Sequence, residues 1–156
     1  MLTADMKRAL AEHSPVYAAT VCPDGTPNLS PKGTAMAWDD RHIVFLDLNS
    51  PQTVGNLRAS PHIEINVVDP FRRKGFRFKG MAEVLTEGPL YEEVVAHYER
   101  HRSIARRRVR AVVCLEVRQA RPLISPAYDD GATEEEVTAD WVARFRRTVD
   151  QMQRKG

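Results

Sequence analysis

Two cysteines in 156 residues, Cys22 and Cys114, leave little room for cysteine chemistry. Neither has a CxxC partner or a Cys/His ligand spacing, so both read as structural thiols in a reducing cytoplasm. No apolar run approaches the roughly 20 residues of a membrane span, so no membrane partner is expected. Excess charge is missing as well. The 23 Lys and Arg residues nearly balance 21 Asp and Glu, and the formal charge of +2 argues against a dedicated nucleic-acid binder. The run Arg106-Arg107-Arg108-Val109-Arg110 has no interleaved aromatics and reads as a solvated helix-end segment. His13, His42, His62, His97 and His101 are scattered, with no metal spacing and no visible catalytic triad. The first residues, Met1 to Arg8, are mixed in charge and read as a helix, not a signal peptide.

What is present fits one globular domain with its own core: 42% hydrophobic and 28% charged residues, with no repeat and no long linker. Thr3 can cap a helix over about Ala4 to His13. Val16 to Cys22 reads as a strand, and Pro23-Asp24-Gly25-Thr26 as its turn. Asn28 to Trp38 should return as the hairpin partner, with a bulge or open edge where Pro31 and Gly33 weaken pairing. A strand from His42 to Leu48 leads into a short helix from Pro51 to about Ala59. His62 to Val68 and Gly75 to Thr86 alternate as half-buried strands, a helix covers about Leu90 to His101, and Arg110 to Arg118 forms a last strand. Thr133 and Glu136 make a capping box for a C-terminal helix, with an apolar stripe of Val137, Trp141, Phe145, Val149 and Met152. About six antiparallel strands with peripheral helices predict a mainly β fold, a small barrel. The expected division is a barrel over 1–126 and a helical extension over 127–156, packed on the barrel or on a dimer partner.

Two short segments carry the most chemistry. Ser30-Pro31-Lys32-Gly33 lies on the second strand, and Asn49-Ser50-Pro51-Gln52-Thr53 opens the helix after His42 to Leu48. A helix start offers unpaired N–H groups and a positive dipole end, which suit a phosphate; Ser and Thr hydroxyls can join them. Ser50 before Pro51 is equally the expected helix cap, and the two roles are compatible. Arg77 and Lys79 share a strand face opposite Phe76 and Phe78, which suits a solvent face and an anion site equally well.

The order Pro23-Asp24-Gly25-Thr26-Pro27-Asn28-Leu29-Ser30-Pro31-Lys32-Gly33 resembles the pyridoxamine phosphate oxidase-like, FMN-binding split-barrel proteins. So do Ser50-Pro51-Gln52-Thr53 with Asn56-Leu57, Asp69-Pro70-Phe71, and Gly75 to Gly80. The likeness covers about Met1 to His101 and is strongest to the small flavin-nucleotide-binding branch. It implies a six-stranded antiparallel split barrel, a homodimer, and FMN in clefts at the dimer interface. By that resemblance Ser30, Pro31, Lys32, Gly33 and Thr34 run beside the isoalloxazine ring and ribityl chain. Asp47, Asn49, Ser50, Gln52, Thr53 and Asn56 surround the phosphate, while Arg77 and Lys79 reach the cofactor from the same or the partner subunit.

Two departures matter. Gln52 stands where family members often carry Lys or Arg, and it donates only neutral hydrogen bonds. The C-terminal basic and histidine residues that hold substrate in the pyridoxamine phosphate oxidases proper have no match after Arg110, which argues against that activity. The expected function is a flavin-dependent oxidoreductase with non-covalent FMN and an unidentified small-molecule substrate, with Lys32 as the cation at the N1–C2 carbonyl edge of the ring. No side chain stands out as a general acid or base. A deazaflavin-dependent reductase on the same fold and a non-catalytic flavin carrier or sensor are the alternatives.

Overall fold

The computed structural model describes residues 1–154. Helix α1 (Ala4–Glu12) is capped by the Thr3 hydroxyl, and strands β1 (Val16–Val21) and β2 (Pro27–Lys32) form the first hairpin. Gly25 sits in its turn at φ 84°, a conformation glycine adopts without strain. A two-residue strand β3 (Met36–Ala37) precedes β4 (His42–Asp47), α2 (Pro51–Ala59), β5 (His62–Asp69) and β6 (Lys74–Leu85). Helix α3 (Pro89–Arg102), β7 (Ala111–Ile124) and α4 (Glu134–Gln153) complete the chain, with short 3₁₀ turns at Arg106–Arg108 and Pro126–Tyr128.

All strands pair antiparallel in one curled sheet of order β2-β1-β5-β6-β7-β4-β3. The fold is a split barrel, as expected. Six strands are six residues or longer, and β3 is an addition. It arises because the predicted strand Asn28 to Trp38 breaks after Lys32, where the chain turns through Gly33 and Thr34. β2 is an edge strand, so the missing N–H of Pro31 breaks no internal ladder. β7 runs six residues beyond the predicted Arg118. Its far half pairs with β6 alone, so Pro122 faces a free edge.

One core lies inside the curl and includes Val16, Ala18, Ile43, Phe45, Ile65 and Phe78, closed by Leu10 of α1 and Leu57 of α2. A second lies on the other face of β4 and β7, where Tyr91, Val94, Val95 and Tyr98 of α3 cover Val44, Leu46 and Val112. The bulge between Lys79 and Gly80 tightens the β6–β7 contact; a Cβ at Gly80 would lie 1.9 Å from the Glu116 carbonyl oxygen.

The capping box of α4 forms as predicted. Its stripe is only partly covered. Val137 is buried and Trp141 packs beneath the Arg73 guanidinium at 4.1 Å. Phe145 meets Phe71 at 5.1 Å, yet Phe145, Val149 and Met152 stay 43%, 49% and 69% exposed.

Candidate functional site

The pleat of β2 sorts its side chains. Opposite Val16, Ala18 and Thr20 of β1, the residues Lys32, Ser30 and Asn28 face inward, while Pro31, Leu29 and Pro27 face outward. Helix α2 closes over the inward row. Its start is fixed by Asp47, whose carboxylate accepts the Ser50 N–H at 2.6 Å. No side chain caps that N-terminus, so its first N–H groups stay available.

Lys32 is 3% exposed. Its ammonium donates to Ser30 Oγ at 2.7 Å, Ser50 Oγ at 2.8 Å and Thr53 Oγ1 at 3.3 Å. Burial pushes its pKa below the ordinary lysine value, against the opposing pull of the Asp47 carboxylate. The two predicted segments therefore meet around one buried cation. The Phe45 ring lies 5.7 Å from it. Lys32 thus sits among the residues assigned to the phosphate, Ser50 and Thr53, rather than apart from them.

A neutral network continues along the same seam. Gln52 Nε2 donates to Asn56 Oδ1 at 2.9 Å, and Asn56 Nδ2 donates to Thr20 Oγ1 at 2.9 Å. Asn28 Nδ2 also reaches Thr20 Oγ1, at 3.2 Å, and the Cys22 thiol receives Asn56 Nδ2 at 3.5 Å. Thr34 braces the next turn: its hydroxyl accepts the Leu46 N–H at 2.9 Å, and its carbonyl accepts the hydroxyl of fully buried Tyr98. Burial raises the Tyr98 pKa, which keeps that donor protonated. Pro31, Gly33 and Asn49 are exposed at the margin.

Arg77 and Lys79 do not join this cluster. They project from the outer face of β6, where Arg77 Nε donates to Glu64 at 2.7 Å and Lys79 lies 3.6 Å from the same carboxylate. The same outer face also carries exposed apolar side chains: Tyr17, Val21 and Leu29 are 49%, 44% and 66% exposed. Asn66 Oδ1, beside Tyr17 and Arg77 in register, is buried without a hydrogen-bond partner. Trp38 stacks edge-on against His97 at 5.7 Å and belongs to the α3 side of the sheet.

Thr20, Asn28, Cys22 and Tyr98 complete the site's polar frame without having been picked out as site residues. Thr20 and Asn28 carried a signal, as polar residues on the inward phase of their strands. Tyr98 carried none, because its contact spans 64 residues.

The family model for pyridoxamine 5'-phosphate oxidase matches residues 2–123, which hold all the strands but the last residue of β7, and the whole Lys32 cluster. The chain belongs to the pyridoxamine 5'-phosphate oxidase family. Among solved structures, HupZ of Group A Streptococcus is 32% identical over 80% of this chain and 96% of its own, with a TM-score of 0.73. An FMN-binding protein of Syntrophomonas wolfei subsp. wolfei shares the oxidase-family fold at 14% identity, over 76% of this chain and 84% of its own, with a TM-score of 0.63. An F420 reductase shares it at 21% identity, over 76% and 98%, with a TM-score of 0.59. No curated protein matches the chain. Helix α4 lies beyond the residues that match the family model.

Proposed function

We propose that this member of the oxidase family binds FMN non-covalently and works as a flavin-dependent oxidoreductase on a small molecule. The observation that carries the reading is the buried Lys32 ammonium held by three hydroxyls at the uncapped start of α2. A buried ammonium is costly unless something of opposite charge uses it. No carboxylate approaches Lys32 within 4.0 Å among the described residues. A phosphate ester fits such a donor set.

In this reading Ser50, Thr53 and the first N–H groups of α2 hold the phosphate. Ser30, Pro31, Gly33 and Thr34 line the path of the ribityl chain and ring, while Asn49, Gln52 and Asn56 add neutral donors. Asp47 holds the Ser50 backbone, and Thr34 is kept in place by Leu46 and Tyr98. Bound FMN supplies hydride or electron transfer, and the protein binds and orients it. The protein forms a homodimer through the apolar outer face of β2, β1 and β5. That pairing covers Tyr17, Leu29 and the unpaired Asn66 oxygen, and it lets Arg77 and Lys79 serve the site of the neighbouring protomer.

The test is direct. Protein purified without added flavin is denatured and its released chromophore identified, and apo-protein is titrated with FMN. FMN release or saturable binding is expected; colourless protein that also ignores added FMN refutes the reading. Gln52 favours a second reading on the same fold, a deazaflavin cofactor, because the helix start carries a neutral amide engaged with Asn56 instead of a second cation. Parallel titration decides, the true cofactor binding markedly tighter.

A further inference from the structure

We infer that Lys32 acts on the cofactor's phosphate indirectly, as a positioning residue that turns the Ser50 and Thr53 hydroxyls into phosphate donors and anchors Ser30 beside the ribityl chain. The inference rests on the flavin reading above and deepens it. An ammonium has three N–H groups, and those of Lys32 meet three hydroxyl oxygens at 2.7, 2.8 and 3.3 Å. None is left over for a ligand. A hydroxyl that accepts a hydrogen bond keeps its own proton to donate. Among the described residues, none of these three hydroxyls donates to a protein acceptor. Thr53 is 1% exposed, so water does not readily use its proton, and Ser30 and Ser50 are half-buried at the edge of the cluster.

The arrangement makes little sense as plain structure. An ammonium hydrogen-bonded only to neutral hydroxyls, with the Asp47 carboxylate acting from beyond contact distance, carries a desolvation cost that its immediate partners do not repay. It makes sense as a relay. The charge sits behind, unable to be drawn into solvent. Ser30 and Ser50 sit at the open edge, and each hydroxyl has one lone pair engaged by the ammonium and its own proton left to donate. Gln52 need not be cationic in such a site, since the positive charge is supplied from below the helix start.

A double-mutant cycle on the full chain separates relay from direct contact. The proteins are wild type, Lys32→Met, Ser50→Ala and the double variant; the probes are FMN, riboflavin and inorganic phosphate. Riboflavin lacks the phosphate, so the ratio of its dissociation constant to that of FMN isolates the phosphate subsite. Lys32→Met should lower that ratio roughly 10- to 100-fold, the range for a charge-assisted hydrogen bond, while riboflavin affinity holds. Ser50→Ala should lose part of the ratio, and the double variant should lose less than the two changes combined, because Lys32 works through Ser50. Multiplicative losses overturn the relay and make Lys32 a direct ligand.

Folding is judged separately: Lys32→Met should melt at or above the wild-type temperature, which a structural lysine would not allow. If wild type binds neither flavin, the cofactor reading is what fails. The relay is then read from the rise in melting temperature that inorganic phosphate gives the four proteins. The same sub-multiplicative pattern sustains it, and a wild type unmoved by phosphate overturns it.

Discussion

Tyr98→Phe removes one oxygen and should reach both the fold and the site. Tyr98 is fully buried on α3, and its hydroxyl donates to the carbonyl of Thr34, in the turn that follows Lys32. The phenylalanine ring preserves the packing against Val94, Val95 and Val112, so the loss is confined to the hydrogen bond. Leaving a buried carbonyl unpaired costs about 1–3 kcal/mol. For a domain of this size each kcal/mol moves the melting temperature by about 2–4 °C, so a drop of roughly 2–12 °C is expected. Tyr98→Ala also empties the ring's volume and should cost about 3–5 kcal/mol, enough to separate packing from hydrogen bonding in one series. Urea and thermal unfolding of the three proteins supply the readout. A Phe variant as stable as wild type would refute the claim that the α3 contact holds the Thr34 turn. A second signature should accompany the loss: faster amide exchange at Leu46, whose N–H is held by the Thr34 hydroxyl.

Gly80→Ala should fold poorly or destabilise the protein by several kcal/mol, checked by unfolding, because its Cβ would fall 1.9 Å from the Glu116 carbonyl oxygen. The stability advantage of Lys32→Met over wild type should shrink as pH rises toward the ordinary lysine pKa. Burial lowers the folded-state pKa, so the unfolded chain binds more protons across the window below 10.5 and wild-type stability climbs there; an advantage that widens would contradict this. At pH 8, alkylation followed by mass spectrometry should find Cys22 modified well before Cys114. Burial pushes the Cys114 thiol up to about 11, leaving roughly one thiolate in a thousand. Leu29→Asp should shift the protein toward monomer in sedimentation, since it places a charge on the proposed dimer face.

Much of the architecture was legible because alternation marks strands plainly. Ile63, Ile65 and Val67 against Glu64 and Asn66 announced β5, and the Pro-Asp-Gly-Thr turn announced the first hairpin. The end of β7 was not legible, since Arg118 to Pro122 is a polar run and only β6 reveals that it pairs. A bulge or open edge was expected near Pro31 and Gly33; β2 does lie at the sheet edge, but the break comes as a full turn, because Thr34 and Tyr98 hold it from outside the strand. At the site, the meeting of Ser30-Pro31-Lys32 with Ser50 and Thr53 followed from their order along the chain. The burial of Lys32 did not. A strand lysine just before a turn can be read as solvated or as a cofactor contact, and its burial appears only when α2 is laid across it. Arg77 and Lys79 were ambiguous from sequence, and Glu64 pairs with both. The stripe on α4 was visible from its spacing, but spacing alone cannot say how much of a helix a neighbour covers, and beyond Trp141 little is covered.

Equilibrium titration of full-length apo-protein with FMN, followed by flavin fluorescence, bears most directly on the reading of the Lys32 cluster as a flavin-phosphate site. Saturable binding, with FMN held at least tenfold tighter than riboflavin, is the predicted result, from one or more charge-assisted hydrogen bonds to the phosphate. Equal affinity for the two flavins, or binding of neither, would contradict it.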